Sequence, residues 1–136
     1  MKIFIVEDSA LMRARIAQAA ISIAGIEVAG HSGDMSGALS GIRESSPDAL
    51  VVDIQLHDGS GLTILKQVKS ERPEIKAVVL SNSATAPYRH AALVAGADHF
   101  LDKSTEFSQL NAILADWQLH LQMQAQMRIP PMHLST

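Results

Sequence analysis

Short apolar runs alternate along the chain with longer segments of helical periodicity. The apolar runs have the length of β-strands and lie at residues 3–6, 26–29, 49–52, 77–80 and 99–101. Three of them are continuously apolar, which is typical of parallel strands covered on both faces. The segments of helical period predict helices at residues 9–24, 34–45, 60–71, 85–96 and 105–125. The pattern therefore predicts a strand followed by a helix, five times.

This alternation predicts an α/β fold, a doubly wound (βα)5 domain with right-handed crossovers. For five strands, the expected order of the parallel sheet is 2-1-3-4-5. In such a sheet a ligand site forms beyond the carboxyl ends of the strands, where the order reverses between strands 1 and 3. Functional side chains are therefore expected just after strands 1, 3, 4 and 5.

Length and composition fit one soluble domain. The chain has 136 residues, which we divide into a domain at 1–120 and a C-terminal helix extension and tail at 121–136. It has no cysteine, which excludes disulfides and thiolate chemistry. A net charge of −3 with scattered basic residues argues against direct nucleic-acid binding. Because no apolar stretch reaches the ~18 residues of a membrane span, we expect a cytoplasmic protein.

The residues that follow the predicted strands carry the candidate chemistry. They are Glu7 and Asp8 after strand 1, Asp53 after strand 3, Ser81 after strand 4 and Lys103 after strand 5. Two carboxylates ~4 Å apart repel by about 4 kcal/mol at an effective dielectric of 20, so three together need protons or a cation. An all-oxygen donor set favours Mg²⁺. Lys103 and Ser81 suit an anion arriving beside the metal, which is the layout for phosphoryl transfer onto an aspartate.

The strand-end residues resemble those of the receiver domain of two-component response regulators, over about residues 2–116. The resemblance lies in Glu7-Asp8, in Asp53 with the following IQLHDGSG, in Ser81 and in Lys103. It implies the flavodoxin-like fold of that family and an aspartyl phosphate on Asp53. It also implies that Asp8, Asp53 and the backbone carbonyl of Gln55 bind Mg²⁺, with Glu7 acting through water. Lys103 and Ser81 would hold phosphoryl oxygens, and Phe100 would be the aromatic residue that moves with Ser81.

Two positions depart from the common pattern of that family. His57 replaces a frequent proline four residues after Asp53, which predicts a freer loop. Ser104 replaces a proline after Lys103, where a cis peptide without proline would cost about 3–4 kcal/mol; the geometry there is left open. Gln55 and Ser83 stand where the family tunes the access of water to the phosphoryl group.

The resemblance implies a switch rather than an enzyme acting on other molecules. The phosphoryl donor would be a sensor histidine kinase, a histidine phosphotransfer protein or a small phosphodonor. The output would leave through the strand 4–helix 4–strand 5 face, where Tyr88, Arg89 and His90 are interpreted as exposed contacts. A homodimer through the Met-rich last helix is left open, as is a longer protein with an output domain.

Other site classes fit less well. The six histidines, at positions 31, 57, 90, 99, 120 and 133, do not pair at metal-ligand spacing and are interpreted as surface or packing residues. An aspartyl phosphatase of the haloacid dehalogenase type needs a second acid two residues after the nucleophile, where this chain has Gln55. The remaining alternative is a receiver-like module that binds proteins without phosphorylation.

Overall fold

A computed structural model describes residues 1–127 and contains one parallel sheet of five strands. The strands are β1 (Lys2–Val6), β2 (Glu27–Ser32), β3 (Ala49–Asp53), β4 (Lys76–Ser81) and β5 (His99–Asp102). Their order in the sheet is β2-β1-β3-β4-β5, and every neighbouring pair is parallel. The predicted fold class and strand order are confirmed.

Five α-helices connect and cover the strands. They are α1 (Ala10–Ile21), α2 (Met35–Ser45), α3 (Gly61–Glu71), α4 (Ala86–Val94) and α5 (Leu110–Met127), the last preceded by a 3-10 turn at Phe107–Gln109. Side-chain caps fix where α1 and α2 begin, because Ser9 accepts from the amide of Met12 and Asp34 from that of Gly37. The predicted boundary at residue 120 falls within α5 and stays a prediction, and residues 128–136 of the predicted tail lie outside the described residues.

The sheet separates two apolar layers, because successive side chains of a strand point to opposite faces. Phe4 and Val6 of β1 pack with α2, α3 and α4, whereas Ile3 and Ile5 pack with α1 and α5. All five residues of β3, at the centre of the sheet, are buried. Each buried aliphatic side chain stabilises the fold by about 1.5–3 kcal/mol. The end of β3 therefore holds Asp53 in a rigid position.

Two elements differ from the predicted ones. The strand β2 was predicted to end at residue 29 but continues to Ser32, and it pairs with β1 on both sides of a shift in register at Ala29. A short hairpin joins Gln55–Leu56 to Gly59–Ser60 in the connection from β3 to α3, where no strand was predicted. Both differences lie next to the carboxyl ends of the strands.

Candidate functional site at the carboxyl ends of the strands

Three carboxylates meet at the end of the sheet. Glu7 and Asp8 follow β1 directly, and Asp53 is the last residue of β3. One oxygen from each lies within 4.8 Å of the other two. Glu7 and Asp53 are buried, whereas Asp8 is partly open to solvent. The three side chains therefore form an oxygen-lined, negatively charged recess with one exposed side.

Lys103 brings a positive charge to this recess. Its Nζ lies 2.7 Å from Oε1 of Glu7 and 3.1 Å from Oδ2 of Asp53, and its side chain is 7% exposed. Burial lowers the pKa of Lys103, but the bonds to Glu7 and Asp53 outweigh this and raise it, so the ammonium keeps its proton. Burial first, and then the charge of Asp53, raise the pKa of Glu7 against the lowering effects of Lys103 and of the backbone amide of Ser9. One ammonium thus compensates only part of the charge of three carboxylates.

Backbone contacts fix the two buried acids. The amide of Gln55 donates to Oδ1 of Asp53 at 3.2 Å, and the amide of Ser9 donates to Oε2 of Glu7 at 3.1 Å. Gly61 begins α3 against the end of β3, since a Cβ there would lie 1.9 Å from the carbonyl oxygen of Asp53. A glycine eight residues after Asp53 is therefore a steric requirement of this site.

Ser81, the last residue of β4, is fully buried and faces its own loop. Its hydroxyl accepts from the amide of Ser83 at 3.0 Å and lies 3.3 Å from the carbonyl oxygen of the same residue. Across the recess, the side-chain amide of Gln55 lies 3.5 Å from Oγ of Ser83. The hydroxyl of Ser81 must turn away from Ser83 before it can donate to a ligand beside Asp53.

The loop after β3 is held without the proline that His57 replaces. His57 and Asp58 form the two-residue turn of the hairpin, and the carboxylate of Asp58 accepts from the amide of Met35, the first residue of α2, at 3.1 Å. This turn brings Nε2 of the exposed His57 to 3.7 Å from Oδ2 of Asp8. The hairpin and the contact with α2 are constraints on this loop that do not need proline, and the expectation of a freer loop stays a prediction.

The turn after β5 is also held by local bonds. Ser104 donates to Oδ1 of Asp102 through its amide at 2.8 Å and through its hydroxyl at 2.6 Å, which lowers the pKa of Asp102. The peptide between Lys103 and Ser104 is trans, like the others in the described residues. The amide of Lys103 donates to the carbonyl of Ser81 at 2.9 Å, so the ends of β4 and β5 are joined directly.

The structure brings together Glu7, Asp8, Asp53 and Lys103, with Ser81 beside Lys103 at the end of the neighbouring strand. Phe100 lies on β5 and is partly buried against α4. The side chain of Arg89 is 39% exposed, and its guanidinium also donates to the carbonyl of Ala84 and to Glu106, which was not predicted from the sequence. No local pattern in the sequence predicts these two bonds. The five histidines within residues 1–127 are exposed, and His133 lies outside the described residues.

Comparison with known proteins identifies the family of this arrangement. Residues 3–115 match the response regulator receiver domain. A protein-glutamate methylesterase/protein-glutamine glutaminase 2 of Dechloromonas aromatica is 39% identical over 104 residues, which are 75% of this chain and 29% of that protein. The chain spans about a quarter to a half of the length of the curated relatives it matches.

Solved structures show the same fold. The response regulator domain of Thermotoga maritima CheB is 26% identical, with a TM-score of 0.71, and the match covers 96% of this chain and 98% of that one. The receiver domain of RcsB from Salmonella enterica serovar Typhimurium, solved with the phosphomimetic BeF3−, is 21% identical, with a TM-score of 0.80 and coverage of 87% and 88%. Within residues 1–127, none of the helices combines the length and the apolar character that a membrane span requires. The chain belongs to the response regulator receiver domains, the phosphorylation-dependent switches of two-component signalling.

Proposed function

We propose that Asp53 accepts the phosphoryl group of this receiver domain. The observation that carries the proposal is the position of its carboxylate at the rigid end of β3, with Oδ2 held 3.1 Å from the ammonium of Lys103. Asp8 is more open to solvent, and Glu7 is buried behind Lys103 with its own ion pair. Glu7 shares the ammonium of Lys103 and a backbone contact, but it is 1% exposed against 6% for Asp53, and Asp53 holds the position after β3 that the family resemblance assigns to the phosphoryl acceptor.

The donor set fits Mg²⁺, the ion expected at the acidic site of this family. Glu7, Asp8 and Asp53 offer oxygen atoms within 4.8 Å of one another, and a hard cation prefers such ligands. Asp8, Asp53 and the backbone carbonyl of Gln55 would hold the ion directly, and Glu7 would hold one of its waters. When bound, Mg²⁺ supplies positive charge against the carboxylates and against the oxygens of the transferred group.

The transfer forms one bond and breaks one bond. An oxygen of the Asp53 carboxylate attacks the phosphorus of a phosphohistidine, while the electron pair of the breaking P–N bond goes to the imidazole, which ends protonated. Lys103 stabilises the charge on the phosphoryl oxygens, and Ser81 donates its hydroxyl proton to one of them after leaving Ser83. Hydrolysis of the acyl phosphate restores Asp53, so the chain catalyses only its own phosphorylation and dephosphorylation.

The partners follow from this role. The donor is a sensor histidine kinase or a histidine phosphotransfer protein, and a downstream protein reads the switch on the face formed by β4, α4 and β5. Exposed apolar side chains on α4 support this face, since Leu93 is 59% and Val94 66% exposed. The proposed location is the cytoplasm.

The test is Mg²⁺-dependent phosphorylation by acetyl phosphate, measured as a gain in intact mass. We expect the wild-type chain to gain one phosphoryl group with Mg²⁺ and none with EDTA. Asp53→Asn should gain none, because an amide oxygen is a poor nucleophile. Asp116→Asn serves as the matched control, because this exposed carboxylate lies on α5 outside the recess and its loss should leave the gain unchanged.

Absence of labelling in the folded wild-type chain, beside a receiver domain that labels in the same reaction, would contradict the proposal. It would favour the alternative function, a receiver-like module that binds proteins without phosphorylation.

A further inference from the structure

Arg89, on α4, joins three separate parts of the molecule. Its Nε donates to the carbonyl of Ala84 at 3.1 Å, and its terminal nitrogen donates to Oε1 of Glu106 at 2.8 Å. The guanidinium carbon lies 4.8 Å from the centre of the Phe100 ring, within the range of a cation–π contact. These contacts hold one side of the guanidinium against the protein, while the side chain stays 39% exposed.

The partners of Arg89 lie in the two loops that carry Ser81 and Lys103. Ala84 comes three residues after Ser81, and Glu106 comes three residues after Lys103. Glu106 is itself built into the turn after β5, since Oε1 accepts from the amide of Asp102 at 2.9 Å and its own amide donates to the carbonyl of Asp102 at 2.8 Å. A single guanidinium thus fixes both loops relative to each other.

The loop that Arg89 holds is the one that has to change. The Ser81 hydroxyl bonds to the backbone of Ser83, and its single proton cannot be donated to Ser83 and to a phosphoryl oxygen at once. When the hydroxyl turns, the backbone of Ser83 loses its partner. The next residue, Ala84, is the acceptor of Arg89. In this structure the bonds of Arg89 occur together with a Ser81 hydroxyl that faces Ser83 instead of Asp53, and we call this the resting arrangement.

We infer that Arg89, together with Glu106, is a positioning residue that stabilises the resting arrangement and so opposes phosphoryl binding at Asp53. This inference rests on the proposed function. An interaction that is stronger in one of two states shifts the population towards that state and weakens any ligand of the other by the same factor. Arg89 thus sets how much of the unphosphorylated protein is in the switched state.

The experiment measures the affinity of the purified chain for beryllofluoride, a phosphoryl mimic, by calorimetry in saturating Mg²⁺. Arg89→Ala and Glu106→Gln should each bind it about 5-fold more tightly than the wild type, at the lower end of typical coupling between sites. Because the two residues share the contact from Arg89 to Glu106, the double variant should gain less than the two single gains combined.

Arg43→Ala is the matched control. Arg43 forms a comparable ion pair with Glu71 between α2 and α3, at 2.7 Å, but touches neither loop of the site. It should leave beryllofluoride affinity unchanged whatever it does to stability. Thermal unfolding of each variant shows that it is folded, and Glu106→Gln, which keeps the size of the side chain, secures the test if Arg89→Ala does not fold.

Affinity equal to or weaker than that of the wild type in the folded variants would overturn the inference and leave the proposed function standing. A variant that loses stability while its beryllofluoride affinity stays unchanged would show a purely structural role, which also overturns it. If the wild type itself binds no beryllofluoride, the proposed function fails and the inference falls with it.

Discussion

At the level of single residues, the site is a problem of charge. Lys103 contacts Glu7 and Asp53, and Asp8 lies beside them with His57 near its open side. When all three acids are ionised, the ammonium of Lys103 balances one negative charge and leaves two uncompensated. Two of the acids, Glu7 and Asp53, are also shielded from water. The raised pKa of Glu7 reflects this shielding first. The energetic cost of the arrangement is what a divalent cation relieves.

Replacing Glu7 tests that cost. Without metal at pH 8, Glu7→Gln should raise the free energy of unfolding by on the order of 1 kcal/mol, because it removes a buried and poorly compensated charge. The folded pKa of Glu7 lies above its unfolded value, so the ionised acid destabilises the fold at high pH and the protonated acid does not at low pH. The gain should therefore shrink as the pH falls through the raised folded pKa towards 4.5, and it should be lost below 4.5, where the acid is protonated in both states. Urea unfolding in EDTA, across this pH range, measures it.

Mg²⁺ should stabilise the wild type more than Glu7→Gln, because the ion neutralises a charge that the variant lacks. Glu44→Gln, an exposed change on α2, is the control for a simple change in net charge. A Glu7→Gln protein that is less stable than the wild type in EDTA at pH 8 would contradict this view of the recess.

At the level of elements, the site depends on how α3 begins. Gly61 lies against the carbonyl oxygen of Asp53. Because this oxygen belongs to the backbone of a buried strand, it cannot move aside for a side chain at position 61. Gly61→Ala should lower the free energy of unfolding by about 2–3 kcal/mol, in the range of overpacked cores. It should also slow labelling by acetyl phosphate, because relief of the clash displaces Asp53.

Gly33→Ala provides the comparison, because a Cβ there would lie at a less severe 3.2 Å from Cα of Asp8. Urea unfolding of the two variants should therefore show the larger loss for Gly61→Ala. Equal losses, or no loss at Gly61, would mean that α3 can begin without the close approach seen here.

The elements also separate what the sequence predicts from what it does not. The central strand β3 was predicted because burial on both faces leaves a continuous apolar run, and the acid at its end then stands out. The edge strand β2 was predicted too short, since it ends in Gly30, His31 and Ser32, which an edge tolerates and which carry no strand pattern. The fold and the four charged residues of the site were therefore predictable from local signals.

The remaining features depend on contacts between distant parts of the chain. The hairpin after β3 is held by a bond from the amide of Met35 to Asp58, 23 residues away. A contact over this distance leaves no periodic pattern in the sequence. The guanidinium of Arg89 bonds to Glu106, 17 residues away, and to the backbone carbonyl of Ala84. The hydroxyl of Ser81 faces Ser83 because of the shape of one loop. The inferred bias of the switch rests on the last two of these details, which only the structure shows.

At the level of the whole molecule, charged contacts away from the site hold neighbouring helices together. The Arg43–Glu71 pair joins α2 to α3 and lowers the pKa of Glu71 to about 2, first through the bond from Arg43 and then through that from Gln67. The folded pKa lies below the unfolded value of 4.5. The pair therefore stabilises the fold above pH 4.5, and this contribution is lost as the pH falls from 4.5 to 2.

Acid unfolding of Glu71→Gln tests this contribution. The variant should be less stable than the wild type at pH 6, and the difference should shrink as the pH falls through that window. We expect a small difference, because exposed ion pairs contribute little. Urea midpoints between pH 6 and 2 provide the measurement. A difference that stays constant with pH would show that the ionisation of Glu71 is not its cause.

The same architecture places the chemistry at one end of a rigid sheet and the readout on a helix beside it. β4 and β5 carry Ser81 and lead to Lys103, and α4 with Arg89 lies against them. If the proposed function and the inferred role of Arg89 hold, a change at Asp53 reaches the exposed side of α4 through two loops and one guanidinium. Every step of that account depends on Asp53 being the residue that receives the phosphoryl group.

The most direct test is to locate the phosphoryl group on the chain. After reaction with acetyl phosphate and Mg²⁺, borohydride reduction converts an aspartyl phosphate to homoserine, and peptide sequencing by mass spectrometry then finds the altered residue. The account predicts homoserine at position 53 and unchanged acids at positions 7 and 8. Homoserine at another acid, or a phosphorylated protein in which position 53 remains aspartate, would contradict it.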